Sequence, residues 1–483
     1  MRKTKLLDTI RALTTRERTW WREYVHSDFF NKHAGLRALA DHVLAHAPAF
    51  SADALDKRRV YAHLFGTDSV YDEFKINNLV SDLYDLLLGF LAYTVQYEQP
   101  VERHLAATEA LLARNLDAQV AGVLAKSRTL LDRRPDRTAR WQFLEMNWWE
   151  AAEALDSRRA RRVAGEHLKR QAESVDIAFI IEKLRLGGAM LSRHGLAVLR
   201  SDERPRWLPA IRQWCAEEPM LASLPAVRVH LAALDLLERP APNTFDILQA
   251  ELDEHYAVFG LEELAALYQY ALNYCIRCIN DGQSGAYPQA LALYKSLLNR
   301  DILLRQGRLS QWTYKNITTT GLRCGAFDWT EQFLHDYRDR LPPAERDNAF
   351  AYNLAALYFE KKDFAATLQT LQNVEFTDFT YHLGAKIAQL KSYYLLGETE
   401  ALFSLLEATK QLLRRNRSLS AFGKTANLNF LRLLRQVHAW RERQGRVSTE
   451  KHERQRLILL EKTRQTQPLA NKEWLAEHCL DGG

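Results

Sequence analysis

The chain has 483 residues, of which 47% are hydrophobic and 26% charged, and its formal net charge is +6. This composition is typical of a folded globular chain and excludes global disorder. Glycine and proline, with 20 and 13 residues, are scarce. Long stretches such as 72–99 carry apolar residues at helical spacing, so the sequence predicts an all-α protein with almost no strand.

Cysteine usage and hydropathy indicate the compartment. The five cysteines are an odd and sparse set, and no apolar run typical of a secretory signal follows the first residues. The most apolar stretch, 86–95, is shorter than the roughly 20 residues that a membrane helix needs. We therefore expect a cytoplasmic protein with no membrane span.

The first hundred residues are predicted to form an N-terminal helical bundle over 1–98. Thr14 and Glu17 have the spacing of a capping box, in which a hydroxyl and a carboxylate each bond a free backbone amide, so a helix is expected over 15–26. A long helix starts near Asp72 and is stopped by Pro100. Its apolar stripe consists of Ile76, Leu79, Val80, Leu83, Leu86, Leu87, Phe90 and Leu91.

From 101 to 260 the chain is predicted to continue as helical hairpins with degenerate repeats. One predicted pair covers 101–114 and 116–132, and another covers 138–155 and 157–174. Short polar turns join these segments, which favours antiparallel neighbours. The stretch 176–238 is assigned only as helical.

A periodic pattern follows over 261–413. Its clearest unit is 351–364, with the sequence AYNLAALYFEKKDF. Leu354, Ala355 and Tyr358 occupy large, small and large packing positions, because helices approach closely only where a side chain is small. Three turn residues recur at intervals of 37 and 35 positions: Gly325, Lys362 and Gly397.

This pattern resembles the tetratricopeptide repeat, whose period is about 34 residues. The resemblance implies an α-α superhelical repeat solenoid whose first helices line a concave groove. Asn273, Asn316 and Asn353 share one first-helix position, which in that family points into the groove, and Ala388 takes the fourth place. Amides both donate and accept, so such a ladder could hold an extended peptide backbone. The alternative is that each asparagine bonds a neighbouring helix.

Three basic residues are candidates for the same wall: Lys315, Arg323 and Lys391. On the groove they would favour an acidic or carboxylate-bearing segment. The alternative is that they are solvated charges on exposed helix surfaces.

No motif indicates catalysis. Cys275 and Cys278 share a helix face, as a pair of metal ligands would, but they occupy packing positions and no second cysteine pair exists, so we expect them to act as small hydrophobic residues. Phosphate loops, a nucleophile elbow and histidines at ligand spacing are lacking. We expect no metal, no cofactor and no enzyme activity.

The region 414–483 is predicted to form basic C-terminal helices that cap the repeats. Between 410 and 464 the chain has 15 Lys and Arg against 4 Asp and Glu. Such a field attracts phosphates or acidic protein surfaces. The candidate anion or nucleic-acid contacts are Arg414, Arg415, Arg432, Arg435, Arg441 and Arg443.

Two functions are consistent with these features. The preferred one is a non-enzymatic scaffold or adaptor that binds an extended peptide or a partner protein in the concave groove. The alternative is a nucleic-acid-associated regulatory protein that contacts phosphates through its basic C-terminal helices. Neither the partner nor the oligomeric state is indicated by the sequence.

Overall fold

The computed structural model describes residues 4–51, 53–159, 165–194, 206–372, 374, 378–416 and 419–480. It is 78% helical, with 24 α-helices and no strand in these ranges, so the predicted all-α fold is confirmed. Two short 3-10 helices, Tyr256–Val258 and Arg338–Arg340, complete the regular structure. None of the helices in the described ranges combines the length and the apolar character that crossing a membrane requires.

The chain divides into two compact units. Among the described residues, the first contains 4–190, 206–231 and Ala257–Phe259, and the second contains 191–194, 232–256 and 260–480. The stretch predicted as degenerate hairpins, 101–260, is therefore shared between the two units.

The first unit begins with a helical bundle and continues with longer helices. α9 and α12 start in this unit and extend into the second. Its helices are α1 (Lys5–Ala12), α2 (Thr15–His26), α3 (Ala34–Ala45), α4 (Lys57–Phe65), α5 (Glu73–Tyr97), α6 (Pro100–Leu112), α7 (Asp117–Asp132), α8 (Ala139–Arg158), α9 (Glu166–His194), α10 (Leu208–Glu217), α11 (Pro219–Ser223) and α12 (Pro225–Glu238).

The N-terminal core confirms the predicted capping box. The Thr14 backbone amide donates to Glu17 Oε2 at 2.7 Å, and the Glu17 amide donates to Thr14 Oγ1 at 3.2 Å. These bonds lower the pKa of Glu17. They also start α2 where the sequence predicted, and the helix buries Trp21 and Val25 against the apolar stripe of α5.

One predicted helix is wrong at both ends. The sequence predicted a break near 156 and a helix over 157–174, but α8 continues through Arg158 and α9 covers Glu166–His194. Gly165, with φ of 69°, directly precedes α9, whereas neither glycine nor proline stands at 156.

The second unit is a succession of helix pairs. Its helices are α13 (Pro242–His255), α14 (Leu261–Asn280), α15 (Ala286–Asn299), α16 (Gln311–Arg323), α17 (Phe327–Asp336), α18 (Arg346–Glu360), α19 (Phe364–Gln372), α20 (Phe379–Leu396), α21 (Thr399–Arg415), α22 (Ala421–Arg441), α23 (Thr449–Gln465) and α24 (Lys472–Leu480).

The predicted turn residues have the same backbone geometry. Gly325, Lys362 and Gly397 have φ of 67°, 63° and 77°, and Gly282, after α14, has φ of 84°. In each turn the next residue's amide bonds the carbonyl five positions earlier, the pattern of a Schellman motif. Four helix pairs, α14/α15, α16/α17, α18/α19 and α20/α21, are therefore joined by one kind of turn.

Contacts between helices follow chain order in this unit. α16 packs on α17 and on α18, and α18 packs on α19 and on α20. The first helices of successive pairs are thus direct neighbours, which places their side chains side by side. This arrangement creates the site described next.

Candidate functional site: a pocket with two lysines

A pocket of about 410 Å³ lies where α16, α18, α20 and α22 meet. Its walls combine apolar and polar surface, and two lysines line it, one from α16 and one from α20. The lining residues are Lys315, Tyr352, Ala356, Phe359, Glu360, Phe379, Thr380, Leu383, Gly384, Ile387, Ala388, Lys391, Leu419, Asn427 and Asn471.

A second cavity of about 390 Å³ adjoins the pocket, with which it shares Lys391, Phe359, Glu360 and Asn471. It is lined in addition by one predicted groove residue and by the start of α24: Arg323, Lys472, Glu473, Trp474 and Glu477. The structure thus brings together the three predicted cations, Lys315, Lys391 and Arg323, along two connected cavities.

Lys315 lies beside aromatic rings. Its Nζ is 5.4 Å from the ring centre of Tyr352 and 5.6 Å from that of Tyr381. Tyr381 in turn stacks on Trp312, with ring centres 5.5 Å apart. Burial lowers the pKa of Lys315, against the opposing charge of Asp378. An ammonium over ring faces is held by the ring quadrupoles, but these do not neutralise its charge.

Lys391 is more strongly perturbed. Its Nζ lies 5.2 Å from the ring centre of Trp474 and 5.9 Å from that of Phe359. Burial lowers the pKa of Lys391 to about 8, and the charge of Arg323 acts in the same direction. The charges of Glu360 and Glu477 act in the opposite direction. A substantial fraction of this amine is therefore neutral at mildly alkaline pH.

Neither ammonium group has an ion-pair partner in the part of the chain that the structure describes. Among the described residues, no carboxylate oxygen lies within 4.0 Å of either Nζ. By contrast, Lys361 at the end of α18 pairs with Glu331 at 2.6 Å. Withdrawing an ammonium from water without a counter-ion costs free energy, so both lysines favour an incoming anion.

The three asparagines do not share one environment. Asn316 is exposed, Asn273 is half-buried and accepts from Gln269 at 2.8 Å, and Asn353 is buried. The Asn353 amide donates to the Ala349 carbonyl at 2.7 Å. A hydrogen bond from it also opposes the rise that burial causes in the pKa of Tyr381. The Asn353 side chain is therefore buried and bonds the backbone of its own helix, α18.

The residues that line the pocket lie one position before the predicted ladder. Lys315, Tyr352 and Ile387 line it, whereas the ladder positions are Asn316, Asn353 and Ala388, of which Ala388 alone reaches the pocket. Successive residues on an α-helix are about 100° apart, so a shift of one residue turns a side chain toward a different neighbour. The pocket lies within the predicted repeats, but it is lined by the residues that precede the predicted ladder positions.

Sequence reasoning missed the aromatic lining of the pocket. Tyr352 and Phe359 lie seven residues apart on α18, as do Gly384 and Lys391 on α20, so that each pair shares a helix face. That spacing could have been used to predict that the two residues of each pair lie on the same surface. Trp474 was not predictable in this way, because α24 reaches the site only through the fold.

Of the two cysteines that were predicted to pack as small hydrophobic residues, the first is buried as expected. Cys275 is fully buried, and burial raises the pKa of its thiol to about 12. Cys278 is half-buried. A thiol with a raised pKa is a poor nucleophile and a poor metal ligand at neutral pH.

The basic C-terminal residues fall into two groups. Arg435 pairs with Glu407 at 3.3 Å, and Arg441 donates to the Tyr394 carbonyl at 3.2 Å. The other candidates are exposed on α21, on α22 and just after α22: Arg414, Arg415, Arg432 and Arg443.

The fold and site define an all-α protein with a cationic, aromatic-walled pocket in its second unit. Comparisons of the chain with protein-family models, with curated proteins and with solved structures found no match. The likeness to tetratricopeptide repeats therefore remains a resemblance that rests on the residues and turns described above.

Proposed function

We propose that the second unit is a non-enzymatic protein-interaction module, and that its pocket binds an acidic side chain on an extended segment of a partner protein. The observation that carries this proposal is the presence of two ammonium groups, Lys315 and Lys391, in one cavity, with no carboxylate oxygen of the described residues within 4.0 Å of either, although Glu360 also lines the cavity. A carboxylate entering the cavity would supply the missing counter-ion.

The shape of the site supports a peptide rather than a small metabolite. The two cavities share Lys391 and Phe359, and Lys315 lines one of them while Arg323 and Trp474 line the other. Carboxylates of the chain, Glu360, Glu473 and Glu477, also line them. An extended segment presents every second side chain to the same wall, so an acidic residue two positions from an apolar one would place a carboxylate beside a lysine and an apolar side chain on Phe359 or Trp474.

Lysines with depressed pKa values also occur in catalytic sites, where they act as bases or nucleophiles. Here the groups nearest Lys391 are the rings of Trp474 and Phe359 and the carboxylates of Glu360 and Glu477. The pocket contains no thiol or imidazole among its lining residues, which are drawn from the described part of the chain. Binding is the function that this set of groups supports best.

A displayed library of random decapeptides tests the proposal. We expect the full chain to enrich sequences that contain Asp or Glu beside apolar residues, and the Lys315→Met/Lys391→Met variant to lose that enrichment. Lys361→Met is the matched control, because Lys361 is paired at the protein surface outside both cavities. Equal enrichment by the double variant and the wild type would refute the proposal.

Salt dependence separates this function from the nucleic-acid alternative. Binding to phosphates through the exposed arginines would weaken by orders of magnitude between low and moderate salt, because many condensed counterions are released, whereas binding of an acidic peptide through two lysines should weaken far less. The nucleic-acid function would be favoured instead by a partner that no longer binds the chain after a lysate is treated with nuclease, and that still binds the double lysine variant.

A further inference from the structure

The first unit has an aromatic cavity of its own. It has a volume of about 390 Å³ and lies between α2, α5 and the segment after α2. Six of its ten lining residues are aromatic. The lining consists of Trp20, Glu23, Tyr24, Ser27, Phe30, Phe90, Tyr93, Thr94, Tyr97 and Glu98.

The rings are organised around Tyr24 and Phe30. These two stack with centres 4.1 Å apart, and Tyr93 lies 5.5 Å from Phe30 and 6.0 Å from Tyr24. Tyr97 extends the row at 5.9 Å from Tyr93. Gly89 allows this arrangement, since a Cβ there would lie 3.1 Å from the Tyr24 hydroxyl oxygen.

Much of this aromatic surface faces solvent. Phe30, Tyr93 and Tyr97 are 37%, 44% and 56% exposed, and the neighbouring Phe29 is 87% exposed. Trp21, Val25 and the apolar stripe of α5 form the buried core of the bundle. The exposed parts of these rings are therefore not needed to complete that core. An open row of aromatic rings of this kind is typical of a binding surface.

Two carboxylates line the cavity, and two arginines, Arg16 and Arg103, lie over rings at Trp20 and Tyr97 that also line it. Glu23 and Glu98 both line it, and neither carboxylate forms an ion pair within the described ranges. The lining also includes the last turns of α2 and α5, where the negative ends of two helix dipoles lie. The last turn of α5 contains no basic residue, and the one in α2, His26, bonds Asp41.

Two arginines of the chain already form cation–π contacts with rings that line the cavity. The guanidinium of Arg16 lies 4.2 Å from the ring centre of Trp20, and that of Arg103 lies 4.5 Å from that of Tyr97. Both contacts use ring faces at the edge of the cavity. The faces of Tyr93 and Phe30 carry no such cation among the described residues.

We propose that this cavity is a second recognition site, which binds an arginine side chain next to an apolar residue on a partner protein. The planar guanidinium would stack on the ring of Tyr93, whose plane is inclined at 62° to that of Phe30, and bond the carboxylates of Glu23 and Glu98. The apolar neighbour would cover Phe29. This site is independent of the lysine pocket and selects the opposite charge.

Saturation-transfer NMR on the full chain tests the proposal with three probes: acetyl-Phe-Arg-amide, its citrulline counterpart and tetramethylammonium chloride. We expect the arginine probe to bind and the neutral citrulline probe to bind at least about tenfold more weakly, because it lacks the charge that the carboxylates and rings attract. Equal binding of the two peptides would overturn the proposal. Binding of tetramethylammonium as tight as that of the arginine probe would also overturn it, in favour of a small organic cation.

Substitutions of lining residues test whether the arginine probe binds in this cavity. We expect Glu23→Gln/Glu98→Gln to weaken binding of the arginine probe about tenfold, and Tyr93→Leu to weaken it independently by removing one ring face. Glu109→Gln is the control, since Glu109 is an exposed carboxylate on α6 outside the cavity. Circular dichroism checks that each variant is folded. If the double glutamine variant binds like Glu109→Gln, the assignment of this site is wrong.

Discussion

Gly384 lies directly against the ring of Tyr352. A Cβ added to Gly384 would lie 2.7 Å from the Tyr352 hydroxyl oxygen and 2.8 Å from its Cε2. α20 therefore approaches α18 closely enough for a tyrosine ring to lie on its backbone, and that ring forms the wall of the pocket beside Lys315.

The first prediction concerns this contact. Gly384→Ala should destabilise the chain by about 1–3 kcal/mol, because the added methyl group overpacks the interface. It should also weaken binding of acidic peptides by displacing Tyr352. Gly122→Ala is the control: nothing lies within 4 Å of its added Cβ, so a gain of about 0.5–1 kcal/mol is expected in the helix interior.

A double-mutant cycle in urea unfolding shows whether Tyr352 is the cause. In a Tyr352→Leu background the cost of Gly384→Ala should shrink, since the flexible leucine can move away. The same cost in both backgrounds would show that the methyl group clashes with something else.

The second prediction is that Lys391 opposes stability. Its folded pKa of about 8 lies below the ordinary 10.5, so between these values the unfolded chain binds more protons and the free energy of unfolding rises with pH. The rise is on the order of 3 kcal/mol. Lys391→Met should be more stable than the wild type at pH 7 and should lack this rise. Urea midpoints at pH 7.5 and 9.5 measure both effects, with Lys361→Met as the control, and a loss of stability in Lys391→Met at pH 7.5 would contradict the prediction.

The third prediction is a pH dependence of peptide binding. An acidic segment prefers the charged form of Lys391, so its affinity should be constant below about pH 7 and fall as pH rises through the pKa of about 8. The groups around Lys391 are Glu360, Arg323, Glu477, Lys472 and Glu473. Fluorescence anisotropy of an enriched peptide measures the profile, and an affinity for Lys391→Met that falls in the same way would assign the effect to another group.

The fourth prediction concerns three histidines in the N-terminal bundle. The ring centre of His42 lies 4.9 Å from that of His46 and 4.4 Å from that of His63. Burial lowers the pKa of His42, and the charges of His63 and His46 act in the same direction. The unfolded chain therefore takes up this proton first as pH falls below 6.5, and the stability of the bundle should decrease through that window.

His42→Gln removes the titrating ring and tests this effect. Its unfolding midpoint should change less between pH 7 and pH 5 than that of the wild type, as measured by urea denaturation. His104→Gln, at a half-buried position on α6 outside the histidine cluster, is the control and should follow the wild type. A wild-type midpoint that does not fall over this range would contradict the assignment.

Local sequence determined the helical class, the start of α2 and the repeated turns, because caps, Schellman turns and apolar spacing depend on residues within a few positions of one another. The same local information selected Lys315, Arg323 and Lys391 as a group. It also predicted that Asn353 lines the site, whereas its neighbour Tyr352 lines the pocket. Whether a side chain is buried depends on the rotation of a helix against its neighbours, and one residue changes that rotation by about 100°.

Only the tertiary structure decided what surrounds those lysines and which aromatic rings lie together. Trp474 reaches Lys391 from α24, more than eighty positions along the chain, and Tyr93 of α5 reaches Phe30 in the turn after α2. No periodicity in the sequence encodes such long-range neighbours. They arise because each helix must bury its own apolar face, and the way these faces fit together sets which polar and aromatic groups remain in the spaces between them.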